Sequence, residues 1–177
     1  KDLVSEGTPL IGIEPSSILI FRDEYLDLTK GAEHEAAREI ADNTFLMDEF
    51  LSKLVQDGLV TEDMFTEKEE LIKLHGHCHQ KALSSLTHTK RMLSLPKNYT
   101  VHIIPSGCCG MAGSFGYEKE HYETSIAVGE LVLFPTVRKQ PSDVIIAAPG
   151  TSCRHQIKDG TGRKAFHTVE IFYNALK

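Results

Sequence analysis

Apolar and polar positions divide the chain into two halves of different rhythm. Pro9-Leu10-Ile11-Gly12-Ile13 is a short apolar run stopped at Glu14-Pro15, which predicts a strand ended by proline. Ser16 or Ser17 then caps a predicted helix carrying Ile18, Leu19, Phe21, Tyr25 and Leu26. From about Ala32 to Gln56 the apolar positions Ile40, Phe45, Leu46, Phe50, Leu51, Leu54 and Val55 recur at intervals near three and four, predicting one long helix that ends at Asp57-Gly58. The acidic stretch 60–70 reads as a surface connection with room for one helical turn.

From Glu70 the rhythm changes to repeated strand-then-helix units. Leu71-Ile72-Lys73-Leu74 predicts a strand, followed by a loop at 75–79 and a helix from Gln80 to about Leu93. Thr100 to Ile104 predicts the next strand, and Glu118 to Arg138 a long helix interrupted or bent near Pro135. Asp143 to Ala148 is the clearest strand; it runs through Pro149-Gly150 into Thr151-Ser152-Cys153 and a short helix, and a last helix lies at about Thr168 to Leu176. Such alternation predicts an α/β fold of three layers, a mostly parallel, Rossmann-like sheet flanked by helices.

Four cysteines change the picture, because each lies just after a predicted strand. Loops of that kind emerge together at the carboxyl edge of a parallel sheet, where ligands bind and where helix N-termini favour anions. Cys108 and Cys109 are adjacent within Ser106-Gly107-Cys108-Cys109-Gly110-Met111-Ala112-Gly113-Ser114-Phe115-Gly116. A disulfide between neighbours is strained, whereas a metal imposes no such ring. With Cys78 and Cys153 the four thiols read as one soft-metal site, completing either an all-thiolate zinc site or an iron–sulfur cluster. His75, His77, His79 and His155 stand beside these motifs as hydrogen-bond donors to the site or as replacements for a thiol.

Composition narrows the classes. The 177 residues suffice for one domain with a substantial core, and 41% hydrophobic with 25% charged residues is ordinary for a globular chain. A net charge of −6 without a basic run argues against a nucleic-acid surface. No apolar stretch is long enough for a membrane span and no leader pattern opens the sequence, so the expected location is the reducing cytoplasm, with peripheral attachment at the inner face of the membrane also compatible. No phosphate-binding loop or nucleophile elbow stands out. The chain starts at Lys1 without a methionine and its first element begins almost at once, from which we expect a fragment of a longer protein.

The segments His75-Gly76-His77-Cys78-His79-Gln80-Lys81-Ala82-Leu83, Cys108 to Tyr117 and Thr151-Ser152-Cys153-Arg154-His155-Gln156-Ile157 resemble the cysteine-rich CCG domain of iron–sulfur subunits of glycolate oxidase, anaerobic glycerol-3-phosphate dehydrogenase and heterodisulfide reductase. More closely, they resemble the C-terminal end of large fused proteins in which an FAD-linked 2-hydroxyacid dehydrogenase precedes a ferredoxin-like segment and two CCG repeats. The resemblance implies that residues 1–69 are the tail of a first repeat with a helical connection, and that 70–177 are a complete second repeat. It implies that Cys78, Cys108, Cys109 and Cys153 ligate a 4Fe–4S-type cluster serving electron transfer. FAD would lie in the preceding part of the parent protein, the substrate would be a 2-hydroxy acid such as glycolate, D-lactate or 2-hydroxyglutarate, and the partners would be the flavin dehydrogenase module and a quinone or other carrier.

Two positions depart from the family pattern. Gln156 stands where a Cys-x-x-Cys ending would place a fifth thiol, and Ser17 stands where the first repeat of many relatives has a cysteine. Ser17 is placed there by a short internal similarity that pairs Ser16-Ser17 with Ser152-Cys153. A zinc-holding docking module and a thiol-disulfide redox domain remain the other readings of the same cysteines, although the close cysteine pairs of structural zinc sites and the Cys-x-x-Cys of thiol enzymes are both absent.

Overall fold

The structure is a computed structural model and describes residues 2–177. Its elements in chain order are β1 (Leu10–Gly12), α1 (Pro15–Ile18), α2 (Glu24–Leu28), α3 (Ala32–Asp42), β2 (Thr44–Leu46), α4 (Met47–Gln56), β3 (Glu70–Leu74), α5 (Cys78–Leu83), α6 (Leu86–Leu93), β4 (Tyr99–Ile103), α7 (Tyr122–Leu131), α8 (Leu133–Arg138), β5 (Ile145–Ala147), α9 (Thr151–Thr161) and α10 (Thr168–Asn174). Short 3-10 turns fill several of the gaps.

The second half is the expected α/β arrangement. Three parallel strands lie in the order β4-β3-β5, with Ile72 beside Val101 on one side and Ile145 on the other. Phe166 extends the β5 edge, donating to Ile146 O and accepting from Ala148 N–H. Parallel strands bury both faces. On one face Ile104, Val144, Ile146 and Ala148 pack with Leu133, Phe134 and Val137 of α8 and Ile157 of α9; Cys109 and Cys153 belong to this cluster. On the other, Ile72, Leu74, Val101 and Ala147 pack with Met92 and Leu93 of α6 and with Ile171 and Phe172 of α10. The three layers follow from that partition.

The first half departs from the predicted long helix. α3 ends at Asn43, and the chain turns extended for three residues that pair in parallel with β1, Leu10 opposite Thr44 and Gly12 opposite Leu46. Thr44 and Phe45 favour strands, and the apolar spacing runs through them unbroken because both β2 and α4 face the same interior. Glu49 then starts α4 by accepting the Leu46 N–H at 2.8 Å. The predicted helix at 80–93 is likewise two, since Ser84-Ser85 leaves the helix and Ser85 Oγ accepts the Thr87 N–H to cap α6. Near Pro135 the expected interruption falls at Val132, where the missing proline N–H and the ring's conflict with the preceding turn separate α7 from α8. The predicted serine cap of the first helix is replaced by Glu14, because Pro15 is preset for the first helical position. The helix after β5 begins at Thr151 and holds Cys153 in its first turn, longer than the short helix expected there.

α4 packs on α6 and α10 and ties the two halves together. At the junction the buried Asp48 accepts hydrogen bonds from Thr89 Oγ1 at 2.6 Å, Thr168 Oγ1 at 3.3 Å and Gln80 Nε2 at 3.5 Å. Burial pushes its carboxyl up, and the hydroxyl donors oppose that shift. No helix among the described residues is long and apolar enough to cross a membrane.

Candidate metal centre

The connection from β3 to β4 passes over one face through α5 and α6, and the return to β5 passes over the other through α7 and α8. Loops leaving β3 and β5 therefore diverge, opening a crevice at their carboxyl ends. The β3 loop supplies His75, His77 and Cys78, the β4 loop supplies Cys108 and Cys109, and α9 supplies Cys153. These line or adjoin a cavity of about 630 Å³, whose wall includes all four cysteines together with His77 and His79.

All four cysteines are free; Cys78 is exposed, Cys108 half-buried, and Cys109 and Cys153 buried. They form a chain of neighbouring sulfurs. Cys108 is held well below the usual thiol range because Cys109 and Cys78 donate to it, and the Gly110 and Ala112 amides add to the effect against the cost of burial. The Gly110 N–H lies 3.3 Å from Cys108 Sγ. Cys109 and Cys78, as donors to Cys108, are pushed up. Cys153 is lowered to about 5, chiefly by the Cys109 thiol, with His75 and then His77 assisting against burial. The single Cys109 proton is shared between Cys108 and Cys153, so the arrangement favours thiolate character at these two sulfurs in turn, the state a soft metal requires.

The backbone of the Cys-Cys loop favours a thiolate at Cys108. Gly110 has φ 102°, and a Cβ there would lie 2.0 Å from Ser125 O. Ala112 also takes a positive φ, 43°, a strained conformation for a residue with a side chain. Together they turn the Gly110 and Ala112 N–H groups toward Cys108 and the Met111 N–H toward Cys109, a small anion-holding nest. Lys81 Nζ anchors the loop from α5, donating to Ser106 O at 3.0 Å and Gly107 O at 2.6 Å.

The histidines separate by position. His75 is fully buried. His77 Nδ1 accepts the His79 N–H at 3.3 Å to cap α5, and burial lowers the pKa of its ring. His79 faces Glu24 across 3.9 Å. His155 is exposed and its Nδ1 lies 3.2 Å from Tyr117 Oη. Ser17 is exposed, and Ser16 takes the place on the cavity wall. Ser17 and Cys153 are nonetheless each the third residue of a helix that follows a strand, the register in which the internal similarity pairs them. Gln156 is buried and turned to Ser125, donating to its Oγ at 2.9 Å, so the position of a fifth thiol carries a brace between α9 and α7.

Glu14 was not singled out by motif. Its carboxylate lines the cavity and accepts the Thr151 N–H at the start of α9 at 2.8 Å. Its pKa is depressed: burial opposes the charge, but the Thr151 amide and the Ser16 hydroxyl outweigh it. The signal available was the internal similarity, which sets Glu14-Pro15 near Pro149-Gly150.

The chain is similar to D-2-hydroxyglutarate dehydrogenase of Escherichia coli K12, with 29% identity over 172 residues, 97% of this chain and 16% of that protein. The corresponding enzyme of Haemophilus influenzae is 26% identical over 184 residues, with the same coverage of 97% and 16%. One subunit of the anaerobic glycerol-3-phosphate dehydrogenase of Escherichia coli K12 is 25% identical over 171 residues, 97% of this chain and 41% of that polypeptide. The chain thus spans less than half the length of each of these relatives. No protein-family model and no solved structure matches it.

Proposed function

We propose that the chain is an electron-transfer module of the CCG type, in which Cys78, Cys108, Cys109 and Cys153 hold an iron–sulfur cluster of the 4Fe–4S class. The observation that carries this reading is the meeting of four free thiols, from three loops distant in sequence, at one cavity on the carboxyl edge of a parallel sheet. The donor set fits the group: soft thiolates, a backbone nest that favours negative charge, and the N-terminal end of α9 next to Cys153.

When bound, such a cluster supplies reversible one-electron storage. The chain's own residues fix and expose it. The buried Cys109 and Cys153 would hold it from the core side, and the exposed Cys78 with the half-buried Cys108 would hold it from the solvent side of the cavity. The relatives' names support a dehydrogenase setting, 2-hydroxyglutarate or glycerol-3-phosphate in their own case, and the motif resemblance makes it a flavin-linked dehydrogenase of a 2-hydroxy acid of the glycolate, D-lactate or 2-hydroxyglutarate type. In that setting FAD in the same polypeptide or complex would be the electron donor and a quinone or another carrier the acceptor, in the cytoplasm or at the inner face of the membrane.

The test is redox cycling of protein reconstituted with iron and sulfide without oxygen. The reading expects a broad visible absorption that bleaches on reduction and returns on adding a quinone analogue. Absorption that never responds to reductant sinks it. The second reading, a zinc-holding docking module, draws on the close grouping of a His75 ring nitrogen with the Cys109 and Cys153 sulfurs, all within 4.8 Å of one another.

A further inference from the structure

The geometry points to His75 as a direct metal ligand, its Nε2 completing the deep side of the site with Cys109 and Cys153. The inference rests on the reading of this cavity as a metal centre and goes beyond the four-thiol ligand set.

His75 is fully buried, and its Nε2 has no hydrogen-bond partner in the structure. A buried ring nitrogen left unpaired is costly, so native structures rarely keep one without a use. The other ring nitrogen, Nδ1, lies 2.7 Å from Ser106 Oγ. That contact fixes the ring plane; with the proton on Nδ1 the Nε2 lone pair is free for a metal, and with the proton on Nε2 the ring instead supports the Cys153 thiolate. Ligating histidines are commonly oriented through the second nitrogen in this way.

Spacing supports the assignment independently. The three donor atoms lie within 4.8 Å of one another. At that distance all three donors can face one metal centre, whether a single ion or one side of a cluster. The backbone holds His75 there before any metal arrives: its N–H donates to Ala147 O at 2.8 Å, joining the ends of β3 and β5. Gly76 behind it packs so closely that a Cβ would meet Leu86 at 2.5 Å. The residues that present the imidazole thus belong to the sheet and its first turn. An imidazole among thiolates suits iron and zinc alike, both borderline-soft ions.

Cobalt(II), titrated into the oxygen-free chain, is the probe. An imidazole bonded to cobalt through Nε2 shows its Nδ1–H as a solvent-exchangeable proton resonance shifted far outside the diamagnetic range. The expected result is such a signal in the wild type and in His77→Gln, and its loss in His75→Gln with the far-ultraviolet circular dichroism unchanged. His75→Cys is expected to restore tight cobalt binding with added thiolate-to-cobalt charge-transfer absorption. Cobalt bound through thiolates alone, with no imidazole signal in the wild type, overturns the inference, and His75 is then a hydrogen-bond donor to Cys153. Failure to bind cobalt overturns it as well. Iron and sulfide loading, measured on the same protein, separates this outcome from the electron-transfer reading: sulfide incorporated without imidazole ligation leaves that reading standing, and imidazole ligation without sulfide removes it.

Discussion

At the residue scale the centre depends on a few backbone and side-chain positions that tolerate no substitute. Gly110 combines φ 102° with a Cβ site 2.0 Å from Ser125 O, so Gly110→Ala brings both strain and overlap with backbone. We expect a loss of about 2–4 kcal/mol in urea unfolding and loss of metal binding, because the amide that faces Cys108 turns away. Lys81→Met keeps the stem of α5 but frees the Ser106 and Gly107 carbonyls. Metal affinity measured by competition with a chelator is expected to fall about 10–100-fold with the fold intact, the effect typical of residues that orient ligands. The cysteines themselves were legible in the sequence, since each followed a strand-like run. His75 was legible only as one of several histidines beside a thiol. Its placement depends on the backbone bond to Ala147 of the neighbouring β5 strand, which no local pattern reveals.

At the element scale, the strand-helix alternation after Glu70 announced the parallel sheet and the shared edge on which the thiols meet. The sequence misled where an element is short. β2 is three residues long and sits between two helices whose apolar faces share its interior, so helical spacing continues through it. What starts α4 is a side chain, Glu49, which also receives the Arg22 guanidinium through two contacts, at 2.9 and 2.5 Å, and the Ser84 hydroxyl. Burial works against its charge, but these donors prevail and hold its carboxyl below the ordinary 4.5. A depressed folded-state pKa gives stability that is complete above the unfolded value and fades as pH falls through the folded one. Glu49→Gln is therefore expected to cost about 2 kcal/mol at neutral pH, with Arg22 and Glu49 largely shielded from solvent. The difference from wild type is expected to shrink below about pH 4.5 in chemical unfolding followed across pH.

At the scale of the whole molecule the two halves meet through α4, and Asp48 gathers donors from α5, α6 and α10 at that junction. Asp48→Ala leaves those donors unpaired in the interior. We expect a loss of about 2–4 kcal/mol, with both halves still unfolding in one transition when followed by circular dichroism and by limited proteolysis. The junction also bears on the centre, since Gln80 lies on the helix that begins with Cys78. None of this was legible in the sequence: Asp48 falls within the single long helix predicted there, and no motif marks it. The expected division at about residue 69 follows the change of rhythm along the chain and the family resemblance, whereas Asp48 joins residues 41 and 120 positions away along the chain.

The central claim is that Cys78, Cys108, Cys109 and Cys153 form one cluster-binding centre, and the most direct test is the content of iron and acid-labile sulfide per chain after reconstitution without oxygen. We predict about four irons and four sulfides in the wild type and loss of both in Cys108→Ser and in Cys153→Ser. About one zinc per chain with no sulfide, or full iron and sulfide content in either serine variant, contradicts it.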